Sequence, residues 1–270
     1  MSQGHHALAG LFSAMQFLAK PSSADDILAL RTRHRQEMNC QIVHDSIHRR
    51  EGWTLSYLLE RAGVPVGFGS VAIGGPWKDK PTVLEFYLTP EHRNEAFCLF
   101  ETFLESSGAR FFEAQTNDVL LTSMTLTYGH DLAVEKIVFH DGLTTAHVRV
   151  GGTLRQVTPD EEIRTAQERR QGGGEWLLEL DGAPAGKGGL LFHYNRPYGD
   201  IYMEVSEPFR RQGLDAYLVQ ELKRISYGLG AVPCARCNPG NFASRRTLQS
   251  AGFVPCAQIL VGSIGAPAAR

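Results

Sequence analysis

The sequence predicts an α/β chain built from two copies of one plan. Three segments of the first half recur in the second, in the same order and at nearly constant spacing. Leu58-Leu59-Glu60 followed by Gly63-Val64-Pro65-Val66-Gly67 is echoed by Leu177-Leu178-Glu179 followed by Gly182-Ala183-Pro184-Ala185-Gly186, with the prolines 119 positions apart. Both read as two strands joined by a tight turn, with Gly and Pro at the tip. The strand-like run Thr82 to Leu88 leads through Thr89-Pro90 to Arg93 and a helical stretch from Phe97 to Leu104. Its counterpart is Ile201, Met203 and Val205, then Pro208, Arg210 and the helical stretch Leu214 to Ile225, with the arginines 117 positions apart. A third pair is Arg110 to Gln115 before Asn117 and Val232 to Cys237 before Asn238. Repetition of mixed elements in one order is the mark of a tandem duplication.

Taken along the chain, Leu8 to Ala19 is apolar but lacks a preceding Lys or Arg and is interrupted by Met15-Gln16. It is too short to span a bilayer and lacks the basic region of a secretory signal. It predicts an amphipathic helix over residues 7–19 and a cytoplasmic chain. Arg33 to His48 reads as an unusually polar helix with Glu37, Asn39, Gln41, His44, Asp45 and His48 on a solvated face. His44 and His48 have chelating spacing, but Asp45 stands where a zinc hydrolase needs Glu and no third ligand is evident, so no metal is expected. Phe97, Phe100, Phe103, Phe111 and Phe112 read as core, as do Trp53 and Trp176 at the hairpin starts. Val134 to Val150 reads as a strand, and Gly151-Gly152 marks the join, dividing the chain into 1–145 and 146–270. The single Cys234-Ala235-Arg236-Cys237 on a strand reads as two small buried hydrophobes.

Composition narrows the function. The 270 residues carry a net charge of -2, which gives no electrostatic case for nucleic acid or an anionic membrane as partner. Five cysteines without paired spacing suit a reducing compartment better than a disulfide framework.

Chemistry concentrates at Val205-Ser206-Glu207-Pro208-Phe209-Arg210-Arg211-Gln212-Gly213-Leu214-Asp215-Ala216. The run reads as a strand end, a sharp Arg/Gly turn and the first turn of a helix. Gly213 lets the main chain approach an anion, and the helix start from Gln212 to Ala216 offers unpaired N–H donors with a favourable dipole. Arg210 and Arg211 add charged donors. Asp215 puts a carboxylate where a second small residue is expected. At the matching turn of the first half, Arg93-Asn94-Glu95-Ala96 has no glycine and an added carboxylate, so that copy keeps the fold and loses the cradle.

Arg210-Arg211-Gln212-Gly213-Leu214-Asp215 resembles the Arg/Gln-x-x-Gly-x-Gly/Ala signature of the GNAT superfamily of acyl-CoA-dependent N-acyltransferases. Asn238-Pro239-Gly240-Asn241-Phe242-Ala243-Ser244 and Ala251-Gly252-Phe253 resemble that family's closing strand–helix–strand segment. The resemblance covers about residues 150 to 265, and residues 25 to 145 more weakly through the internal repeat. It implies two tandem domains, each a central mixed, mostly antiparallel sheet flanked by helices, the first a degenerate copy.

The resemblance further implies acetyl-CoA as co-substrate and a primary amine of a small molecule as acceptor. Met203 and Val205 main chain would meet the thioester carbonyl. Arg210, Arg211, Gln212, Gly213, Leu214, Asp215 and Ala216 would hold the pyrophosphate. Asn238, Asn241 and Ser244 would fasten the pantetheine arm, although Asn241 also suits a helix N-cap and Ser244 a first-turn residue. Two departures stand out. Leu248 occupies the position where many members carry a general-acid Tyr, and Arg236 the position where others carry Glu. The remaining acid/base candidates are Asp200, Tyr202 and Glu204, with His193, Tyr194 and Tyr198 on the preceding loop. Strand alternation puts Asp200, Tyr202 and Glu204 on one face and Ile201, Met203 and Val205 on the other. A non-catalytic acyl-CoA-binding or scaffold module is the competing reading, favoured by Leu248 and Asp215.

Overall fold

The computed structural model describes residues 17–38, 41, 45–149, 151–158 and 174–265. They fall into two compact units. The first takes the residues up to 133, apart from 45–46, together with 260–265, and the second takes 45–46 and 134–259.

In the first unit β1 (Phe17–Ser22), β2 (Thr54–Arg61), β3 (Val64–Ala72) and β4 (Thr82–Leu88) are antiparallel neighbours in that order. β5 (Phe111–Gln115) then adds in parallel to β4. Helices α1 (Leu28–Met38), α2 (Ala96–Ser107) and α3 (Val119–Tyr128) flank this mixed sheet. The core packs Leu99, Phe100 and Phe103 of α2 on Phe86, Leu88 and Phe112 of the sheet. Helix α2 ends where Gly108 turns left-handed at φ 62, a conformation glycine adopts without a Cβ clash.

Strand β6 (Gly129–Asp141) begins in the first unit and from Val134 counts with the second. There follow β7 (Gly152–Gln156), β8 (Gly174–Leu180), β9 (Ala183–Leu191), β10 (Tyr198–Val205), α4 (Leu214–Gly228), β11 (Val232–Cys237), α5 (Phe242–Ser250) and β12 (Phe253–Ile264). Strands β7 to β10 run antiparallel in order, β11 joins β10 in parallel, and β6 pairs antiparallel with β11. Leu214, Leu218 and Leu222 of α4 bury Ile201 and Val205, as strand alternation required.

The duplication extends to details of backbone geometry. A register shift falls at Leu59/Glu60 in one hairpin and at Leu178/Glu179 in the other. Thr89 N donates to Val66 O and Ser206 N to Ala185 O, each at 2.9 Å. Gly69 and Gly188 both lie where a Cβ would strike the flanking helix, at 2.5 Å from the Phe103 ring and 2.7 Å from a Leu222 methyl. Each glycine lets its helix settle onto the sheet.

Four expectations change. Residues 7–16 of the expected N-terminal helix lie outside the described residues, and residues 17–19 belong to β1, where Phe17, Leu18 and Ala19 pair with Arg61, Glu60 and Leu59. The polar stretch from Arg33 ends as a helix at Met38, and Asp45–Arg49 is a separate 3-10 turn. Its face is not simply solvated, because Arg31, His34 and Gln41 are buried around partners supplied by the sheet and α3. Phe97 is 50% exposed, on the outer face of α2. The division at 145/146 does not coincide with the two units. Ile137 to His140 pair with β11, while Ile264 N donates to Arg110 O at 2.8 Å.

Candidate active site

The site begins where β10 and β11 part. They pair at Tyr198↔Val232, Gly199↔Pro233 and Asp200↔Cys234, while β10 continues along β9 to Val205. The carbonyls of Tyr202 and Glu204 lie against Gly188 and Gly186 of β9. By alternation the main-chain groups of Met203 and Val205 face the opposite, unpaired edge. Arg210 Nε donates to Val205 O at 3.0 Å and closes that carbonyl. The N–H groups of Met203 and Val205 and the Met203 carbonyl remain on the open edge.

A cavity of about 500 Å³ adjoins this edge, with Met203, Glu204, Val205, Arg210, Asp215 and Thr247 among its lining. After β10 the chain makes a 3-10 turn at Glu207–Phe209 and enters α4 through Arg211 at φ 61 and Gly213 at φ 74. Gly213 is the N-cap and no side chain caps this helix. Its first helical bond is Tyr217 N to Gly213 O, so the N–H groups of Leu214, Asp215 and Ala216 have no partner within the helix. The buried Leu214 and Ala216 side chains fix that turn on the sheet.

The other candidates separate. Arg211 lines the cavity, and Gln212 does not, since it accepts from Arg149 at 3.1 Å and donates to Pro208 O at 3.4 Å. Asp215 accepts a hydrogen bond from the Thr247 hydroxyl of α5. Asn241 caps α5 by accepting from Ser244 N at 3.0 Å, and both residues line the cavity. Asn238 is exposed and accepts from Lys136 of β6. Tyr202 donates to Glu175 at 3.3 Å. Asp200 is buried, with His193 Nε2 at 3.0 Å and Arg236 Nε at 3.3 Å. Of the three acid/base candidates only Glu204 lines the cavity, where it is exposed. Leu248 is buried. Burial pushes the thiols of Cys234 and Cys237 upward, in keeping with a structural role for both.

Thr247 was not singled out from the sequence. Its signal was helical spacing, since Asn241, Ser244 and Thr247 follow at intervals of three and share a face. The tie from Arg149 to Gln212 joins residues 63 positions apart and left no local signal.

The first unit repeats the frame and closes it. Arg93 Nε donates to Leu88 O at 3.1 Å, as Arg210 does to Val205. The Arg93 guanidinium also meets Glu37. Helix α2 is entered through Glu95 at φ -103 instead of a left-handed glycine, and Glu95 is paired with Arg61 at 2.7 Å and His92 at 3.3 Å. Carboxylates of the chain itself stand where the second unit keeps an uncapped helix start.

Residues 143–253 match the Acetyltransferase (GNAT) family. This stretch of the chain is similar to a GNAT-family domain. Likeness to solved GNAT structures extends beyond that stretch into the first unit. An acetyltransferase of the GNAT family from Colwellia psychrerythraea superposes at a TM-score of 0.69 with 16% identity, covering 92% of this chain and 99% of that one. A tandem GNAT protein from the clavulanic acid biosynthesis pathway gives 0.60 with 15% identity, over 93% and 100%. A GCN5-related N-acetyltransferase from Sphaerobacter thermophilus gives 0.57 with 15% identity, over 93% and 96%. No curated protein matches the sequence. At these identities the structural likeness establishes the fold alone. Among the described residues no helix is long and apolar enough to cross a membrane.

Proposed function

We propose that the second GNAT unit transfers an acetyl group from acetyl-CoA to the primary amine of a small molecule by direct attack. The observation that carries this reading is the convergence of two sets of unpaired backbone donors on one cavity. One set is the open edge at Met203 and Val205, and the other is the uncapped start of α4. A pyrophosphate suits N–H groups at a helix start, and a thioester suits a strand N–H beside it. The cavity wall at Arg210 and Arg211 supplies the matching charge.

Acetyl-CoA supplies the activated thioester. The acceptor must reach its carbonyl carbon as a free amine. Of the two carboxylates on the wall, Asp215 is engaged by Thr247, and Glu204 takes the ammonium proton, directly or through water. The backbone N–H of Met203 or Val205 stabilises the oxyanion that forms as the amine nitrogen bonds to carbon. The C–S bond then breaks, the departing thiolate takes up a proton, and the new amide nitrogen releases its extra proton to solvent. With Leu248 in place of a Tyr, solvent in the open cavity is the donor for that last step. Asn241 and Ser244 hold the α5 wall, and Asp200 and Tyr202 brace β10 on the face they share with Glu204.

Titration calorimetry with acetyl-CoA, paired with a thiol-release assay over a panel of small primary amines, tests the reading. Micromolar binding with amine-dependent thiol release supports it. Binding without release on any amine favours a sensor or scaffold module, and absence of binding overturns the site itself.

A further inference from the structure

The cavity at the start of α4 holds a carboxylate that acyl transfer does not ask for. Asp215 sits in the first turn of that helix, beside the unbonded N–H groups of Leu214, Asp215 and Ala216. A carboxylate in a first helical turn is drawn to such donors by hydrogen bonding and by the helix dipole. Other helix starts in this molecule use that attraction. Asp118 accepts from Leu121 N at 3.1 Å at the start of α3, and Asn241 from Ser244 N at 3.0 Å at the start of α5. Left to itself, the Asp215 side chain is an internal anion that competes for the donors a pyrophosphate needs.

Asp215 does not take them. Among the described residues its hydrogen-bond partner is the Thr247 hydroxyl, which reaches across from α5. Both side chains line the cavity, together with the cations Arg210 and Arg211 and the second carboxylate, Glu204.

The Thr247 hydroxyl has given up an ordinary partner to do this. A hydroxyl inside a helix commonly donates to the carbonyl four residues before it. Thr32, Thr102, Thr125 and Thr127 all do so, each at 2.8 Å. For Thr247 that acceptor is the Ala243 carbonyl of its own helix, and the hydroxyl donates to Asp215 instead. A hydrogen bond to a carboxylate is stronger than one to a neutral carbonyl, which favours the longer-range partner. Thr247 is buried, so water competes little for its proton.

We infer that Thr247 is a positioning residue for the anion site: its hydroxyl holds the Asp215 carboxylate on α5 and leaves the first-turn N–H groups of α4 to the ligand. The inference rests on the acetyl-CoA reading of this cavity and explains how the cavity tolerates Asp215. Held on α5, the carboxylate repels an anion through space without occupying its donors. Released, it does both.

Titration calorimetry of the full chain with acetyl-CoA gives the first test. Thr247→Val removes the hydroxyl at nearly constant volume. It is expected to weaken binding at least about fivefold, within the range of a carboxylate's attraction to a helix start. Thr247→Ser keeps the hydroxyl and is expected to stay within about twofold of the parent chain. With Asp215→Ala already in place, Thr247→Val is expected to change affinity by less than about twofold, since no carboxylate is left to release. Undiminished binding in Thr247→Val overturns the inference, and so does equal weakening in both backgrounds, which is what a disturbed wall would give. The second test needs no ligand. In amide spectra of the nitrogen-15-labelled chain, Thr247→Val is expected to move the Asp215 or Ala216 amide proton downfield as it bonds the released carboxylate. The same substitution is expected to leave both in place when Asp215→Ala is present. Unmoved amides overturn the inference whether or not acetyl-CoA binds. A parent chain that does not bind acetyl-CoA, with amides that move as expected, overturns the acyltransferase reading and leaves the role of Thr247 standing. Thr247→Ala serves in both tests if Thr247→Val does not fold.

Discussion

At the scale of single residues, Gly213 and Asp215 are the positions that test the proposed acetyl-CoA site most directly. Gly213 sits at φ 74, with open space where a Cβ would be. Gly213→Glu therefore projects a carboxylate toward the donors at a backbone cost of about 1–2 kcal/mol. It should abolish acetyl-CoA binding by calorimetry while the circular dichroism spectrum is kept, and retained affinity would move the cradle elsewhere. Asp215 was the residue out of place in the sequence, and the Thr247 hydroxyl explains how it is held. Two unit charges ~5 Å apart at an effective dielectric of ~20 interact by about 3 kcal/mol before screening. Asp215→Asn keeps an oxygen for Thr247 and removes the charge, so the dissociation constant for acetyl-CoA should fall several-fold. An unchanged constant would mean that the carboxylate is turned away from the anion. The phenols make a third residue-scale prediction. Burial and then the Glu37 carboxylate push Tyr87 up to about 12, and burial and then Asp141 do the same for Tyr227. An unfolded tyrosine ionises near ~10, so both groups contribute stability in full below that pH and lose it as pH rises through about 12. In a tyrosinate absorbance titration, Tyr87→Phe should remove one phenol from the late phase. Loss from the early phase would contradict the Glu37 contact.

At the scale of elements, the arginine after each central strand has one duty in both units and a second duty in only one. Arg93 and Arg210 each close the last carbonyl of their strand, 117 positions apart. Substituting either with Ala should lower the melting temperature by several degrees, since a charged hydrogen bond is lost. Only Arg210→Ala should also weaken acetyl-CoA binding. An equal effect of Arg93→Ala on binding would show that the first cradle is still in use. The elements most legible in the sequence were of this local kind. Both hairpins, β4, β10 and β11 announce themselves by alternation and turn residues, and the Gly213 turn by its glycine. What the sequence hid was supplied by distant partners. The chain from Arg33 looked solvated because its partners, Glu85 and Asp118, come from a strand and a helix start far along the chain. Likewise alternation alone grouped Asp200 with Glu204. The structure separates them, because Arg236 and His193 draw Asp200 into a buried cluster.

At the scale of the molecule, the repeat boundary and the compact units do not coincide. A fragment covering 146–270 lacks Ile137 to His140, the antiparallel partners of β11. It should give a poorly dispersed amide spectrum, whereas 134–259 should give a dispersed one. A well-dispersed spectrum from the shorter fragment would show that β6 is dispensable. The first unit carries the complementary dependence, because Ile264 N reaches Arg110 O and Gly265 N reaches Tyr128 O. That feature has a consequence for synthesis. The ribosome makes residues 260–265 only after every residue of the second unit, so the first unit waits for its last hydrogen bonds until its younger copy has emerged. Order of birth and order of completion are reversed, and the unit made first spends translation with an edge unsealed.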